Sequence, residues 1–313
     1  MDCVQVPRTN LREEPIRKIL ISGAAGFIGA ALAQRLPKDR TVKLLIDRIP
    51  EAELDPDFRK LIKRPDVYYL CIDLMDREAV SALPKDVDTI YHLAAVIGVE
   101  QVQRAPDRVL EVNALTALNI FHYARTLGNL RRVLFSSTSE VYAGTLKHFG
   151  IPVPTGENVP LCLEDVSTPR TSYALSKVYG EGVAFAWRHN YGIPITIVRY
   201  HNIYGPRMGF RHVIPQTFVK IAESDGKIEV PSPGHTRAFC YIDDAVEATI
   251  RCGESANTEG KIVHIGSSAE EIAIRDLVLR IADIMDRRIG SQTCRIRLAR
   301  RRVDARTPQC SSG

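Results

Sequence analysis

The sequence has 313 residues, a formal net charge of +5, and 45% hydrophobic and 25% charged residues, which is ordinary for a soluble globular protein. That length buries a core easily, in one large domain or a large domain with a smaller one. No apolar run approaches the ~18 residues of a membrane helix, and no interleaved aromatic pattern accompanies the basic residues, so neither a membrane span nor nucleic-acid binding is expected.

Residues 1–16 are mostly polar and charged, with no apolar signal core, and read as a flexible N-terminal arm; a cytoplasmic location is the default expectation. Strand-like apolar runs follow at 18–22, 42–46, 67–72, 89–93, 132–135 and 195–198. Helix-like segments lie between them at 27–36, 109–127 and 173–189. Strands alternating with helices predict an α/β fold, a Rossmann-type doubly wound parallel sheet, and near-continuous apolar strands agree with it. Past Tyr204 prolines and glycines punctuate the pattern, with helix-like stretches at 215–223, 244–251 and 274–285. The expected organisation is a dinucleotide-binding domain over 17–200, which also carries the catalytic residues. A smaller mixed C-terminal substrate lobe over 201–306 interleaves with it, and 307–313 form a tail. The lobe would close a cleft over the carboxyl ends of the strands.

Seven cysteines (Cys3, Cys71, Cys162, Cys240, Cys252, Cys294 and Cys310) form no C-x-x-C pair, so no zinc or thiol-redox framework is expected. They read as reduced thiols, mostly small apolar fillers, and no metal site is expected. A late basic stretch holds Arg295, Arg297, Arg300, Arg301, Arg302 and Arg306. It is either a solvated tail or a site for phosphate.

Two motifs carry the chemistry. Gly23, Gly26 and Gly29 have G-x-x-G-x-x-G spacing after the first strand and at the start of a helix. Glycine there permits a tight turn and close approach of backbone to a pyrophosphate, and the helix start offers free N–H groups to the phosphates. Asp47 ends the second strand, where a carboxylate takes the adenosine ribose hydroxyls and repels a 2′-phosphate; this favours NAD. Arg48 keeps NADP open, since an arginine can meet that phosphate. A plain loop cap is the alternative for Asp47. Asp73 ends the next strand and either reaches the adenine amino group or caps the segment 74–82.

Tyr173 and Lys177 are spaced i, i+4 and share one helical face. A free tyrosine, with a pKa near ~10, is a poor base at neutral pH. A nearby ammonium favours the phenolate. An amphipathic helix with surface Tyr and Lys is the alternative, which the glycine motif disfavours. In the run 135–142 (FSSTSEVY), Thr138 could share a proton with Tyr173, and Glu140 is a second acid or base; a self-capping Ser/Thr loop is the alternative.

These pieces resemble the NAD-dependent nucleotide-sugar epimerase/dehydratase family of extended short-chain dehydrogenases/reductases, and most closely its UDP-sugar 4-epimerases. The matching segments are GAAGFIG at 23–29, YHLAA at 91–95, SSTSEVY at 136–142, YALSK at 173–177, RYHNIYGPRM at 199–208 and RAFCYIDDA at 237–245. The resemblance implies that Thr138, Tyr173, Lys177 and Glu140 are catalytic. It implies cofactor contacts from Gly23, Gly26, Phe27, Ile28, Gly29, Asp47, Asp73, Leu74, Leu93, Ala94, Ala95, Asn113, Ser136, Tyr173, Lys177 and Tyr200. It assigns the sugar-nucleotide diphosphate to Asn202 and Arg237, the base to the segment beginning His212 and Val213, and a late R-x-x-D to Arg301 and Asp304. The expected reaction is 4-epimerisation of a nucleotide-sugar, most often a UDP-sugar, through a 4-keto intermediate with NAD kept bound.

Ser139 stands where common 4,6-dehydratases carry aspartate. The Thr-Ser-Glu tripeptide keeps UDP-glucuronate decarboxylase and nucleotide-sugar 4,6-dehydratase open as alternatives. A homodimer through 105–127 and 172–189 is implied. Rivals of other classes are a non-catalytic NAD-binding scaffold and a reductase of a free small molecule; Tyr173, Lys177 and Thr138 argue against the first, Asn202 and Arg237 against the second.

Overall fold

The computed structural model describes residues 16–210, 212–224, 228–230, 232–268 and 271–287. Two compact units emerge, each built from separated segments: Met1–Gly209 with Ala238–Ala269, and Phe210–Arg237 with the segment from Glu270 on. The predicted residues Arg301 and Asp304, and the 307–313 tail, lie outside the described residues.

In the first unit, strands and helices alternate as β1 (Arg17–Ser22), α1 (Phe27–Arg35), β2 (Thr41–Asp47), α2 (Pro56–Leu61), β3 (Val67–Cys71), α3 (Arg77–Ser81) and β4 (Thr89–His92). There follow α4 (Val99–Arg104), α5 (Pro106–Ala124), β5 (Arg132–Thr138), α6 (Ala143–Phe149), α7 (Thr171–Tyr191), β6 (Ile195–Tyr200) and β7 (Ile203–Tyr204). The second unit has α8 (Val213–Glu223) and β8 (Thr236–Arg237); the first resumes with β9 (Cys240–Tyr241), α9 (Ile242–Glu254) and β10 (Ile262–Ile265). The second unit then adds β11 (Ile272–Ala273) and α10 (Ile274–Ile284).

Seven parallel strands form the main sheet in the order β10-β6-β5-β4-β1-β2-β3. The order reverses direction beside β1, the switch point at which open α/β sheets bind ligands. Alternation along each strand supplies two cores. Ile19 and Ile21 of β1 join α1 and α9 residues such as Leu32 and Val246 on one face. Leu20, Val133 and Phe135 join Ile120 and Phe121 of α5 and Val183 and Ala184 of α7 on the other.

The six strands expected from the apolar runs are present. The seventh, β10, is not expected: Ile262–Ile265 is a four-residue run between Gly260 and Gly266, too short for its pattern to separate strand from loop. It pairs with β6 through Ile262↔Ile197 and Ile265↔Tyr200. Helix α5 starts three residues earlier than its apolar pattern suggests, because Pro106 occupies the first turn, where its missing N–H costs nothing. One lysine breaks the apolar pattern of β2. Lys43 is fully buried, and its ammonium meets Asp66 at 2.6 Å and the Pro37 carbonyl at 2.5 Å. Against its desolvation, the hydrogen bonds and charges of Arg64 and Lys43 hold the Asp66 carboxyl down at about 2.

The second unit pairs β8 with β11 antiparallel, Arg237 opposite Ile272, and packs α8 against α10.

Gly180 decides how closely α7 approaches β5. A Cβ at that position would lie 2.3 Å from Cζ of Phe135. Gly180→Ala should therefore lower unfolding stability by roughly 1–3 kcal/mol, as overpacking of a filled core does. Chemical denaturation of the two proteins measures this directly.

Candidate active site

Three structures at the carboxyl ends of β1, β2, β4 and β5 converge on one region. The first is the turn from β1 into α1. Gly23 has φ +69, and a Cβ there would lie 2.7 Å from the Ala94 backbone nitrogen. A Cβ on Gly29 would lie 2.2 Å from the Gly23 carbonyl oxygen. Only glycine fits these close approaches. Gly26 begins the helix without a side-chain cap, so the first-turn N–H groups, those of Phe27 and Ile28 among them, have no partner within the helix.

The second structure is Asp47. Its two carboxylate oxygens accept from the Ala25 backbone N–H at 3.0 Å and the Arg48 N–H at 2.8 Å. The side chain is thereby locked against the glycine turn. Asp73 accepts from the Met75 N–H at 2.9 Å, but it does not cap α3; Asp76 does, accepting from Glu78 and Ala79. Leu74 is buried behind it.

Loop residues after β4 complete the groove's wall. The Leu93 N–H donates to the Ser22 carbonyl at 3.1 Å, and Ala94 and Ala95 follow. Asn113 of α5 ties this loop to α7. Its amide oxygen accepts from Val96 N–H at 2.7 Å, while its nitrogen donates to Val96 O at 3.2 Å and to Ser176 Oγ at 3.0 Å. A narrow glycine turn, uncapped helix N–H groups and a fixed carboxylate at the end of β2 fit the pyrophosphate and ribose of a dinucleotide.

The third structure joins β5 to α7. Lys177 is 3% exposed, and its ammonium donates to the Ser136 carbonyl at 2.8 Å. It stands 5.3 Å over the Phe135 ring and 5.9 Å from the centre of the Tyr173 ring. The Thr138 side chain acts on the Tyr173 hydroxyl in the direction that favours its ionised form. Thr138 also caps the short turn Ser139–Tyr142, accepting from the Glu140 N–H at 3.2 Å. Glu140 reaches Arg170, just before α7, at 3.5 Å.

The electrostatics differ from what the Tyr–Lys spacing alone suggests. Burial, then the Glu140 carboxylate, hold the Tyr173 hydroxyl above the ordinary tyrosine value, against the opposing influence of the Thr138 side chain. Burial pushes Lys177 down to about 8, with the Glu181 carboxylate opposing it. The desolvated pocket thus disfavours both charged forms, a larger effect here than their mutual attraction. His92, at the end of β4, is pushed down to about 3 by burial and by Lys177, and so is a neutral ring beside the lysine, bonded to Ser22 Oγ at 2.8 Å.

Tyr200 lies opposite Thr138 in the pairing of β5 with β6. The Tyr200 hydroxyl pairs with Thr249 of α9 at 2.9 Å. Asn202, with φ +44, donates to the Ala238 carbonyl at 3.1 Å. His212 caps α8, Val213 opens it, and Arg237 is exposed on β8; all three belong to the second unit. Ser137, Glu181 and Arg199 are not singled out by motif, yet they form a buried cluster behind the lysine. One signal for Glu181 is present in the sequence: it lies four residues past Lys177, on the same helical face.

If the glycine turn forms the dinucleotide cradle, Gly29→Ala should weaken NAD binding by roughly tenfold or more, about 1.4 kcal/mol. Isothermal titration with NAD measures it, and unchanged affinity would remove the turn from the cofactor site.

The chain matches the model of the NAD dependent epimerase/dehydratase family over residues 19–266. The UDP-N-acetyl-alpha-D-glucosaminuronate decarboxylase of Bacillus cytotoxicus is 32% identical over 258 residues, 82% of this chain and 76% of the relative. UDP-glucuronic acid decarboxylase 3 of Arabidopsis thaliana is 30% identical over 259 residues, 82% and 71% of the two chains. The crystal structure of UDP-glucuronic acid 4-epimerase from Bacillus cereus, with UDP-glucuronic acid and NAD, superposes with a TM-score of 0.72 at 27% identity, covering 87% of this chain and 84% of that one. With the family match running from β1 through β10, the chain belongs to the NAD dependent epimerase/dehydratase family, a family of enzymes whose cofactor is NAD.

Proposed function

We propose that the protein is a UDP-sugar 4-epimerase, acting through a transient 4-keto sugar. The observation that carries this reading is the meeting of Thr138, Tyr173 and Lys177 at the carboxyl end of β5. When bound, NAD supplies a reversible acceptor for the hydride on sugar C4. The protein's own residues manage the proton. Tyr173 takes it from the 4-hydroxyl, with the Thr138 side chain favouring the ionised phenol. Lys177, fixed by the Ser136 carbonyl, supplies the positive charge that favours the phenolate. Tyr173 would restore the same proton to the 4-oxygen once the keto sugar has presented its other face, which leaves C4 inverted.

Phosphate contacts are assigned in this reading to Asn202 and Arg237, and base contacts to His212 and Val213. A homodimer through α5 and α7 belongs to the same reading, with Leu115, Tyr179 and Phe185 exposed on those helices. Among the described residues no helix is long and apolar enough to cross a membrane.

Decarboxylation of a UDP-hexuronate is the second reading. Glu140 beside Tyr173 favours it, as do two relatives at 32% and 30% identity that are UDP-hexuronate decarboxylases by name. A 4-keto hexuronate is a β-keto acid. Its C5–C6 bond can break with loss of carbon dioxide, the electron pair passing to the C4 oxygen as an enolate that is then protonated at C5. An epimerase must instead keep that bond while the keto sugar presents its other face.

Incubation with NAD and a panel containing UDP-glucose and UDP-glucuronate, followed by mass spectrometry and NMR, separates the readings. Unchanged mass with inverted C4 is the expected outcome; loss of carbon dioxide establishes the second reading. Tyr173→Phe should reduce turnover by roughly 10²–10⁴-fold and leave NAD binding intact. Undiminished turnover would remove Tyr173 as the base. UDP at a hundred times its Kd should stabilise the protein by about 2.7 kcal/mol in thermal unfolding, whereas a reductase of free small molecules shows no such effect.

A further inference from the structure

Behind the Tyr173–Lys177 pair lies a buried polar cluster that the proposed proton transfer does not use. Ser137 sits on β5 between Ser136, whose carbonyl holds Lys177, and Thr138, whose side chain acts on Tyr173. Its hydroxyl donates to Glu181 Oε1 at 2.5 Å. Glu181 lies one helical turn beyond Lys177 on α7 and is 5% exposed. Arg199 of β6, 2% exposed, grips the same carboxylate with two bonds, Nε to Oε1 at 2.9 Å and Nη2 to Oε2 at 2.6 Å. The remaining guanidinium nitrogen donates to the Tyr142 hydroxyl and to the Glu157 carbonyl.

A buried ion pair is a weak source of stability, because desolvating both charges offsets most of their attraction. Apolar residues of similar volume would serve the fold about as well. What apolar residues cannot supply is a bond to Ser137 and a negative charge one turn from the lysine.

We propose that Glu181 is a positioning residue of the active site, gripping Ser137 to fix the strand end that carries Ser136 and Thr138, and supplying the negative charge that Lys177 faces. Arg199 holds that carboxylate in place from the neighbouring strand. The inference rests on the catalytic roles assigned above to Tyr173 and Lys177. The other groups around the lysine do not duplicate the charge. Without cofactor, burial holds Tyr173 on the same helix and His92 on β4 in their neutral forms at pH 7. Ser136 offers its carbonyl and its hydroxyl, neither of them charged, Arg199 is itself positive, and Glu140 acts on Tyr173. Burial drives Lys177 down, and Glu181 is the group that opposes it.

The sign follows. Glu181→Gln keeps the shape and removes the charge, so Lys177 should lose its proton at lower pH by about one unit, the low end of what one neighbouring opposite charge does. Two readouts apply to the NAD-loaded protein. NMR titration of ε-carbon-labelled lysines, with Lys177 assigned by Lys177→Arg, should show the downward move without any substrate. The basic limb of the kcat profile on the UDP-sugar should move the same way, and Glu181→Asp should return it toward wild type. An unmoved Lys177 titration in a folded Glu181→Gln protein overturns the proposal. A purely structural glutamate would scale kcat equally at every pH.

The NMR result does not depend on turnover, so it stands apart from the Tyr173→Phe test of the catalytic reading. Should Glu181→Gln not fold, Ser137→Ala carries the test. It should lower kcat about tenfold with KM nearly unchanged, the size of a small misplacement of catalytic groups. Unchanged kcat would overturn the grip.

Discussion

An ammonium ion taken out of water has to find acceptors, and much of the first unit is arranged around that requirement at Lys177. Ser136 lies one residue past Phe135, the last β5 residue paired with β4, while β6 still pairs with it, and its carbonyl accepts from the ammonium. The helix that delivers the lysine must then run close along that strand. Gly180 permits the approach by leaving room for the Phe135 ring, and the same ring lies under the ammonium. Asn113 fixes α7 to the loop after β4, so that the lysine, the loop and the strand end keep one spacing.

The desolvation that raises Tyr173 and lowers Lys177 need not oppose the chemistry. In a site of low dielectric, a charge placed beside the tyrosine acts more strongly than it would in water. A pocket that resists ionisation when alone responds steeply to an added positive charge. The environment that keeps the phenol protonated is therefore also the one in which its ionisation can be coupled to binding.

The parallel sheet, the glycine turn, the acid after β2 and the Tyr–Lys helix are all written locally in the sequence. Each depends on a period of two, a period of about four, or a glycine that nothing else can replace. What escapes local reading depends on contacts across distance. Strand β10 is four residues long, and its place in the sheet comes from pairing with β6 rather than from its own pattern. Glu181 reads as an ordinary helix glutamate until β6 brings Arg199 to it from eighteen residues away. The lowered Lys177 and raised Tyr173 follow from depth of burial, which spacing along a helix does not encode.

The two bonds made by Asp47 have a consequence for how such a protein could change. Its carboxylate holds the Ala25 and Arg48 N–H groups while standing where the ribose of the cofactor is proposed to lie. In that proposed placement, preference between the two nicotinamide dinucleotides and the geometry of the glycine turn would be vested in one side chain. A drift toward the phosphorylated cofactor cannot proceed by exchanging this residue alone, because the exchange would also release the loop. The specificity is guarded by a structural debt, and an evolutionary path around it would have to rebuild the turn first.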